Sequence, residues 1–525
     1  MSGPRLAALA VAVLFATSCA AQEPATTPGI TADRERAFAA ERAERFGEAA
    51  DAFLRLATAE PSRAEWVLAA SRCLGRAARY REALELLDRA RGTFPTSLEI
   101  PTMLARTLLL QAEAPGALHP EILWADAAEV AEGVLQKSPD DAECRLLLAQ
   151  VRFLQGDLDA ATATATEAVR RFPDRAGAHV LVGQVATTRF RLLLRRHSEE
   201  RPTGQEEADL VAAIDAERQT ARRAFLRAVE LDPTRAHPHA ALGQLDLLDH
   251  KLDEARAHFV DAISIDPDAP IDHGVFALEG DWRNRRDLYA EALRRYSGST
   301  TALPAKRATL RWYEGRASYD GGDWAAAAKC FTDAAAWNPD ARNSWYYLAM
   351  CAWRLGDQDA AEEHAAKYAR FGAPAFADVI RALDGSKRAE VGAVVQFLAD
   401  RAYQKGRIPD SRDLNHVVAC LADSADAWNN HAFLCRETGR FGDALTSYEY
   451  AQQREPDSPQ LLNDTGVVLQ YHLANPDNLA RARTLYERAI AIADRQVADR
   501  TLPAAVRERA EKARSDAKAN LAAMR

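Results

Sequence analysis

The sequence predicts an all-α protein built as an α-solenoid, an open array of stacked helix–turn–helix units. Three observations carry this. The chain has 525 residues, too many for one compact hydrophobic core. Alanine dominates, with leucine, arginine and glutamate beside it, and these residues have the strongest helix propensities. A unit of about 34 residues then recurs in a constant frame, the mark of a repeat architecture.

The N-terminus has the pattern of an export signal. Arg5 gives a positive start, and residues 6–16 form an apolar run. As a helix that run would rise only about 16 Å, short of a ~30 Å hydrocarbon core. It ends in Ala16-Thr17-Ser18-Cys19, which resembles a bacterial lipoprotein cleavage box, with Ala16 where leucine is usual. The resemblance implies that residues 1–18 are removed and that Cys19 becomes the lipidated first residue. Ala20, standing where an aspartate would signal inner-membrane retention, implies the outer membrane, with the protein facing the periplasm. Cleavage after Ala20 or Ala21 would instead leave a soluble periplasmic protein. Residues 19–32, small and polar with two prolines, suit a flexible tether.

The clearest repeat unit spans residues 425–458. Trp428, Ala432, Gly439, Ala444, Tyr448, Ala451 and Pro456 stand at its positions 4, 8, 15, 20, 24, 27 and 32. Small residues at 8, 20 and 27 let two antiparallel helices approach, and large ones at 4 and 24 fill the remaining volume. Proline at 32 ends the second helix, because it lacks an N–H and clashes with the preceding turn. Ala221, Phe225, Ala228 and Pro233 keep this frame, as do Ala255, Phe259, Ala262 and Pro267 and then Ala327, Phe331, Ala334 and Pro339. Ala149, Gly156, Ala161, Ala168 and Pro173 mark a further unit. The pattern resembles the tetratricopeptide repeat (TPR) family over most of the chain, which implies a right-handed superhelix that binds proteins or peptides along its concave face.

On this frame the chain divides into an N-terminal array (33–267), with lengthened helices at 187–220, and a degenerate helical segment (268–306). A repeat pair (307–372), an irregular helical segment (373–424) and a C-terminal repeat pair (425–492) follow, then a polar capping region (493–525) that closes the array.

Acidic residues outnumber basic ones, 76 to 67, for a net charge of −9, and no basic stripe is clustered. A nucleic-acid binder draws most of its affinity from neutralising phosphates, so nucleic acid is not an expected partner. No phosphate-cradling, nucleophile-elbow or zinc-protease motif occurs, and the cysteines match no zinc framework. His237 and His239, two apart and separated by Pro238, face different sides of a helix and are expected to be surface or packing residues. The expected protein is not an enzyme and takes no cofactor. A cryptic active region in 268–306 and 373–424 stands as the alternative, and a purely structural spacer as another.

In the family resembled, first-helix positions 2, 5, 9, 12 and 13 form the inner face. Here they give two candidate protein-binding patches. One is Trp312, Arg316 and Tyr319 with Tyr346, Met350, Trp353 and Arg354, a mixture of aromatics and arginine like that of binding hot spots. The other is Asn429, Phe433, Arg436, Asn463 and Gln470, which partly resembles a peptide-carboxylate clamp but lacks the clamp's lysines. The spacer reading expects Trp312, Tyr346 and Trp353 to be buried. The sequence therefore points to a non-catalytic scaffold of the bacterial envelope, lipid-anchored, holding a protein or peptide.

Overall fold

The computed structural model describes residues 28–271 and 281–524. Among these are twenty-five helices and no strand, and no helix is long and apolar enough to cross a membrane. The chain separates into two compact units, Met1–His258 and Phe259–Arg525.

The first unit holds α1 (Pro28–Arg42), α2 (Phe46–Ala59), α3 (Ala64–Arg76), α4 (Tyr80–Thr93), α5 (Glu99–Ala112), α6 (Pro120–Lys137), α7 (Ala142–Leu154), α8 (Leu158–Arg171), α9 (Ala176–Glu200), α10 (Gln205–Leu231) and α11 (Ala236–Leu248). The division falls within α12 (Leu252–Ile265). The second unit continues with α13 (Trp282–Ser297), α14 (Pro304–Asp320), α15 (Trp324–Trp337), α16 (Asn343–Arg354), α17 (Gln358–Phe371), α18 (Ala373–Arg381), α19 (Gly385–Gln404), α20 (Ile408–Ala422), α21 (Ala425–Glu437), α22 (Phe441–Arg454), α23 (Pro459–Tyr471), α24 (Pro476–Ala498) and α25 (Ala504–Ala523). Within each unit sequential helices pack as antiparallel pairs, and the fold is an all-α repeat solenoid.

A glycine–aspartate step makes several of the tight turns inside pairs. Gly156, Gly322 and Gly356 take φ of 78°, 78° and 81°, a left-handed conformation that costs a side-chain-bearing residue about 1–2 kcal/mol. The next N–H, on Asp157, Asp323 or Asp357, closes the turn on the carbonyl five residues back. The same aspartate side chain then accepts from the N–H three residues on, at 3.0, 3.1 and 3.0 Å, and caps the second helix. Two adjacent residues thus stop one helix and start the next.

Close approach explains the glycines at position 8. A Cβ on Gly183 would lie 2.6 Å from the Phe225 ring, and one on Gly466 would lie 2.6 Å from the Tyr486 ring. The aromatic at position 24 rests on the bare backbone of the first helix, and Phe225 and Tyr486 are wholly buried.

Two places depart from the regular pair. The α9/α10 pair runs to 25 and 27 residues, against 13 and 14 in α7 and α8. Between α17 and the α19/α20 pair the short α18 is inserted, and its Phe376 and Ile380 are buried among Tyr346, Tyr368, Leu398 and Val417. The α17 carboxylate of Glu362, also fully buried, is held by Arg401 at 2.8 Å and Arg407 at 2.7 Å. That pairing offsets the desolvation a lone buried charge would incur.

Candidate protein-binding face

The first patch lies on α14, α15 and α16, where aromatic rings meet in sequence. Trp312 packs edge-on to Tyr347 at 5.6 Å, and Phe331 stacks on Tyr347 at 4.9 Å. Tyr319 meets Tyr347 at 5.1 Å and Trp324 at 5.0 Å. Burial pushes the Tyr319 hydroxyl up to about 12. The Arg316 guanidinium donates to the Tyr347 hydroxyl and, through Nε, to Asp320 at 3.0 Å. Arg354 pairs with Glu390 at 2.7 Å and lies 5.7 Å from the Trp324 ring, while Trp353 packs edge-on to Phe397 at 5.4 Å.

The side chains expected on the open inner face therefore divide. Trp312, Arg316, Tyr319 and Trp353 are half-buried and Arg354 is exposed. Tyr346 and Met350 are buried, at 5% and 4% exposure. The inserted α18 explains Tyr346, whose ring meets Phe376 at 6.0 Å, so these two belong to the core.

A groove of about 480 Å³ opens beside the cluster. Thr309, Trp312 and Tyr313 line one side, with Asn338, Asp340, Arg342 and Asn343 on the other. Its polar groups come from consecutive repeats, a spacing suited to the amides of an extended chain. The Trp312 indole N–H is shielded and has no acceptor among the described residues. Asn343 is fixed by the Tyr368 hydroxyl, which donates to its Oδ1 at 3.2 Å. The sequence reading places Asn343 on the inner face with Tyr346 and Met350, but it missed Tyr313, Tyr347 and Asn338. A signal for the tyrosines existed: both stand at position 6 of their units, a position the repeat frame assigns no role.

In the second patch Arg436 lies 5.3 Å from the Phe433 ring, and Asn429 has a shielded Oδ1 without a donor among the described residues. Asn429 lines a small cavity of about 140 Å³ with Asp426, Gln460, Gln496 and Arg509. Asn463 and Gln470 are engaged by the C-terminal helix. The Asn520 side chain donates to Asn463 at 3.0 Å, and Gln470 donates to the Asn520 carbonyl at 3.4 Å. The Tyr486 hydroxyl donates to Gln470 Oε1 at 2.8 Å. Two of the five expected clamp residues thus hold the protein's own cap.

His237 sits 3.3 Å from the Gln184 amide, and the buried His239 lies 3.3 Å from the Pro233 carbonyl. Cys73, Cys144, Cys330, Cys351, Cys420 and Cys435 are free thiols. Cys19 lies outside the described residues.

An array of paired helices with this face defines the chain as a helical-repeat protein. Residues 124–185 and, separately, residues 313–376 match the tetratricopeptide repeat family, so the chain carries tetratricopeptide repeats in both units. The second match begins at Tyr313 and takes in Tyr319, Phe331 and Tyr347 with one side of the groove, while Thr309 and Trp312 lie just before it. No curated protein sequence matches the chain significantly. Similar solved structures include a monomeric IFIT1 mutant with Gppp-AAAA, 15% identical over 63% of this chain and 68% of that one, TM-score 0.36. A thermophilic TPR protein of Thermus thermophilus is 15% identical over 49% and 99%, TM-score 0.27. The Cut9–Hcn1 hetero-tetramer of the APC/C is 13% identical over 93% and 97%, TM-score 0.29.

Proposed function

We propose that this chain is a protein-interaction scaffold of the bacterial cell envelope that holds an extended peptide segment of a partner in the groove over Trp312 and Tyr313. The observation that carries this is the lining of that groove: two aromatic faces beside amides, hydroxyls and an arginine drawn from consecutive repeats. Rigid aromatics supply buried area at little entropic cost, and the polar groups pair with peptide amides. A peptide selected from a displayed library on the purified protein should lose at least tenfold in affinity on Trp312→Ala, read by fluorescence anisotropy. Equal affinity in a variant with an unchanged melting curve would sink this reading.

The envelope location rests on residues 1–27, which lie outside the described region. In this reading Cys19 carries the lipid, and the tether is shorter than the expected 19–32, because α1 already begins at Pro28. Cys19→Ser should release the protein from membranes into the soluble periplasmic fraction, and continued membrane retention would count against the anchor. Burial of Tyr346 favours a second reading, that of a structural spacer. The two readings part at Trp312, since a spacer predicts that its replacement leaves every interaction intact.

A further inference from the structure

Helices α11 and α12 belong to one repeat, with Gly243 at its position 8 and Ala255, Phe259 and Ala262 at 20, 24 and 27. Position 4, which Trp428 fills in the clearest unit, is here His239, a buried imidazole. Its ring meets that of His258 on α12, with centroids 6.1 Å apart. Asp261 follows His258 one turn further along the same helix face. Each of the three offers a ligand atom within 4.8 Å of those of the other two.

The neighbours of each imidazole set its tautomer. His239 Nε2 lies 3.3 Å from the Pro233 carbonyl, which only accepts, so Nε2 carries the proton. His258 Nε2 faces the Asp246 carboxylate at 3.7 Å, which places the proton on Nε2 there too. In both rings the lone pair then belongs to Nδ1, and both Nδ1 atoms are shielded from solvent. The carboxylates are themselves held. Asp246 is almost wholly buried, and Arg222 binds its other oxygen at 2.6 Å. Arg295 binds one oxygen of Asp261 at 2.8 Å, and a carboxylate has two.

This is the arrangement of a metal site. Ligating histidines pass their other N–H to a carbonyl or a carboxylate, which orients the ring and raises its basicity. Two imidazoles and a carboxylate suit zinc, and three protein ligands are the number that open zinc sites use. Ligand atoms about 2.0–2.2 Å from zinc stand roughly 3.3–3.6 Å apart, so side-chain rotation has about an ångström to close. We infer that His239, His258 and Asp261 bind a zinc ion that clips α11 to α12. The Pro233 carbonyl and the Asp246 carboxylate hold the two rings in place for it.

Zinc alone is the probe. The purified full chain is stripped with a chelator, dialysed, and titrated with zinc sulfate by calorimetry. A single ion per chain is expected, with a rise in melting temperature. Cobalt in its place should give the visible absorption of a tetrahedral ion, and added zinc should bleach it. His258→Gln and Asp261→Asn change side chains that are only partly buried, so the metal-free variants should melt as the wild type does. Each should bind zinc at least tenfold more weakly and lose the zinc-dependent rise. Asp246→Asn keeps all three ligands and should weaken binding about tenfold by loosening the His258 ring. A wild-type chain that takes up no zinc would overturn the inference. So would zinc bound as tightly by His258→Gln as by wild type, since the metal would then sit on other histidines.

Discussion

Ala78 closes the α3/α4 turn with φ of 59°, where the α7/α8, α14/α15 and α16/α17 turns use glycine. Its side chain is exposed, so the left-handed strain is uncompensated by packing. Ala78→Gly should therefore stabilise the first unit by about 0.5–1 kcal/mol, after the extra unfolded-state entropy of glycine is subtracted. Urea unfolding checks the sign, and a loss of stability would show that the turn tolerates alanine without strain. Gly466 presents the opposite case. Its backbone lies under the Tyr486 ring, and an added methyl would meet ring carbons at 2.6 Å. Tyr486 is wholly buried and cannot swing aside, so Gly466→Ala should cost about 1–3 kcal/mol by overpacking. Both glycine uses were legible in the sequence, because positions 8 and 15 recur. What the frame could not reveal was the fate of Tyr346. Its position names the inner face, but α18 is an insertion with no counterpart in the repeat, and only its packing covers that ring.

At the scale of elements, the junction of α20 with α21 is held by two imidazoles, His416 and His431, stacked at 4.3 Å with an interplanar angle of 11°. His431 is buried, with Nδ1 2.9 Å from the Ser447 hydroxyl and Nε2 3.3 Å from the Cys435 sulfur. Burial, then the neighbouring His416, Arg412 and Arg440, hold its pKa down to about 3 from 6.5. Burial lowers His416 as well, against the pull of Asp443 and Asp413. The unfolded chain binds the proton first, so stability is full above pH 6.5 and is lost as pH falls from there toward 3. One such group contributes a slope of at most about 1.4 kcal/mol per pH unit. The urea midpoint should therefore fall less steeply between pH 7 and 4.5 in His431→Gln than in wild type, and parallel curves would exclude the pair as the acid-sensitive joint. The sequence offered His431 as one of twelve histidines, with no sign of a stack, because its partner lies on the second helix of the preceding pair. Asn463 and Gln470 were hidden for a similar reason. The clamp resemblance read their chemistry, whereas Asn520, 57 residues from Asn463, decides what they bind.

Across the whole molecule, stability is assembled from neighbours, since a helix pair in such an array touches chiefly the pairs beside it. The free cysteines are natural reporters of this. Cys73 and Cys144 lie in the first unit, and Cys330, Cys351, Cys420 and Cys435 in the second. Burial raises the thiols of Cys73, Cys330, Cys351 and Cys435 to about 12 and that of Cys144 to about 11. Cys420, half-buried, is raised in the same direction and by the same cause. At pH 8 these six cysteines of the described residues thus offer little thiolate while folded, and thiolate is the reactive species. Labelling with a thiol reagent in rising urea, read by mass spectrometry, then reports the opening of each repeat separately. Nearest-neighbour coupling predicts that repeats near the ends of an array open before those inside it. Cys73, on the second helix pair, should become reactive at lower urea than Cys144, on the fourth. The first unit's thiols should also follow a midpoint distinct from that of the second unit's, because each unit closes its own cores. A single shared midpoint for all six would mean that cooperativity spans the chain, and neighbour-by-neighbour assembly would have to be abandoned.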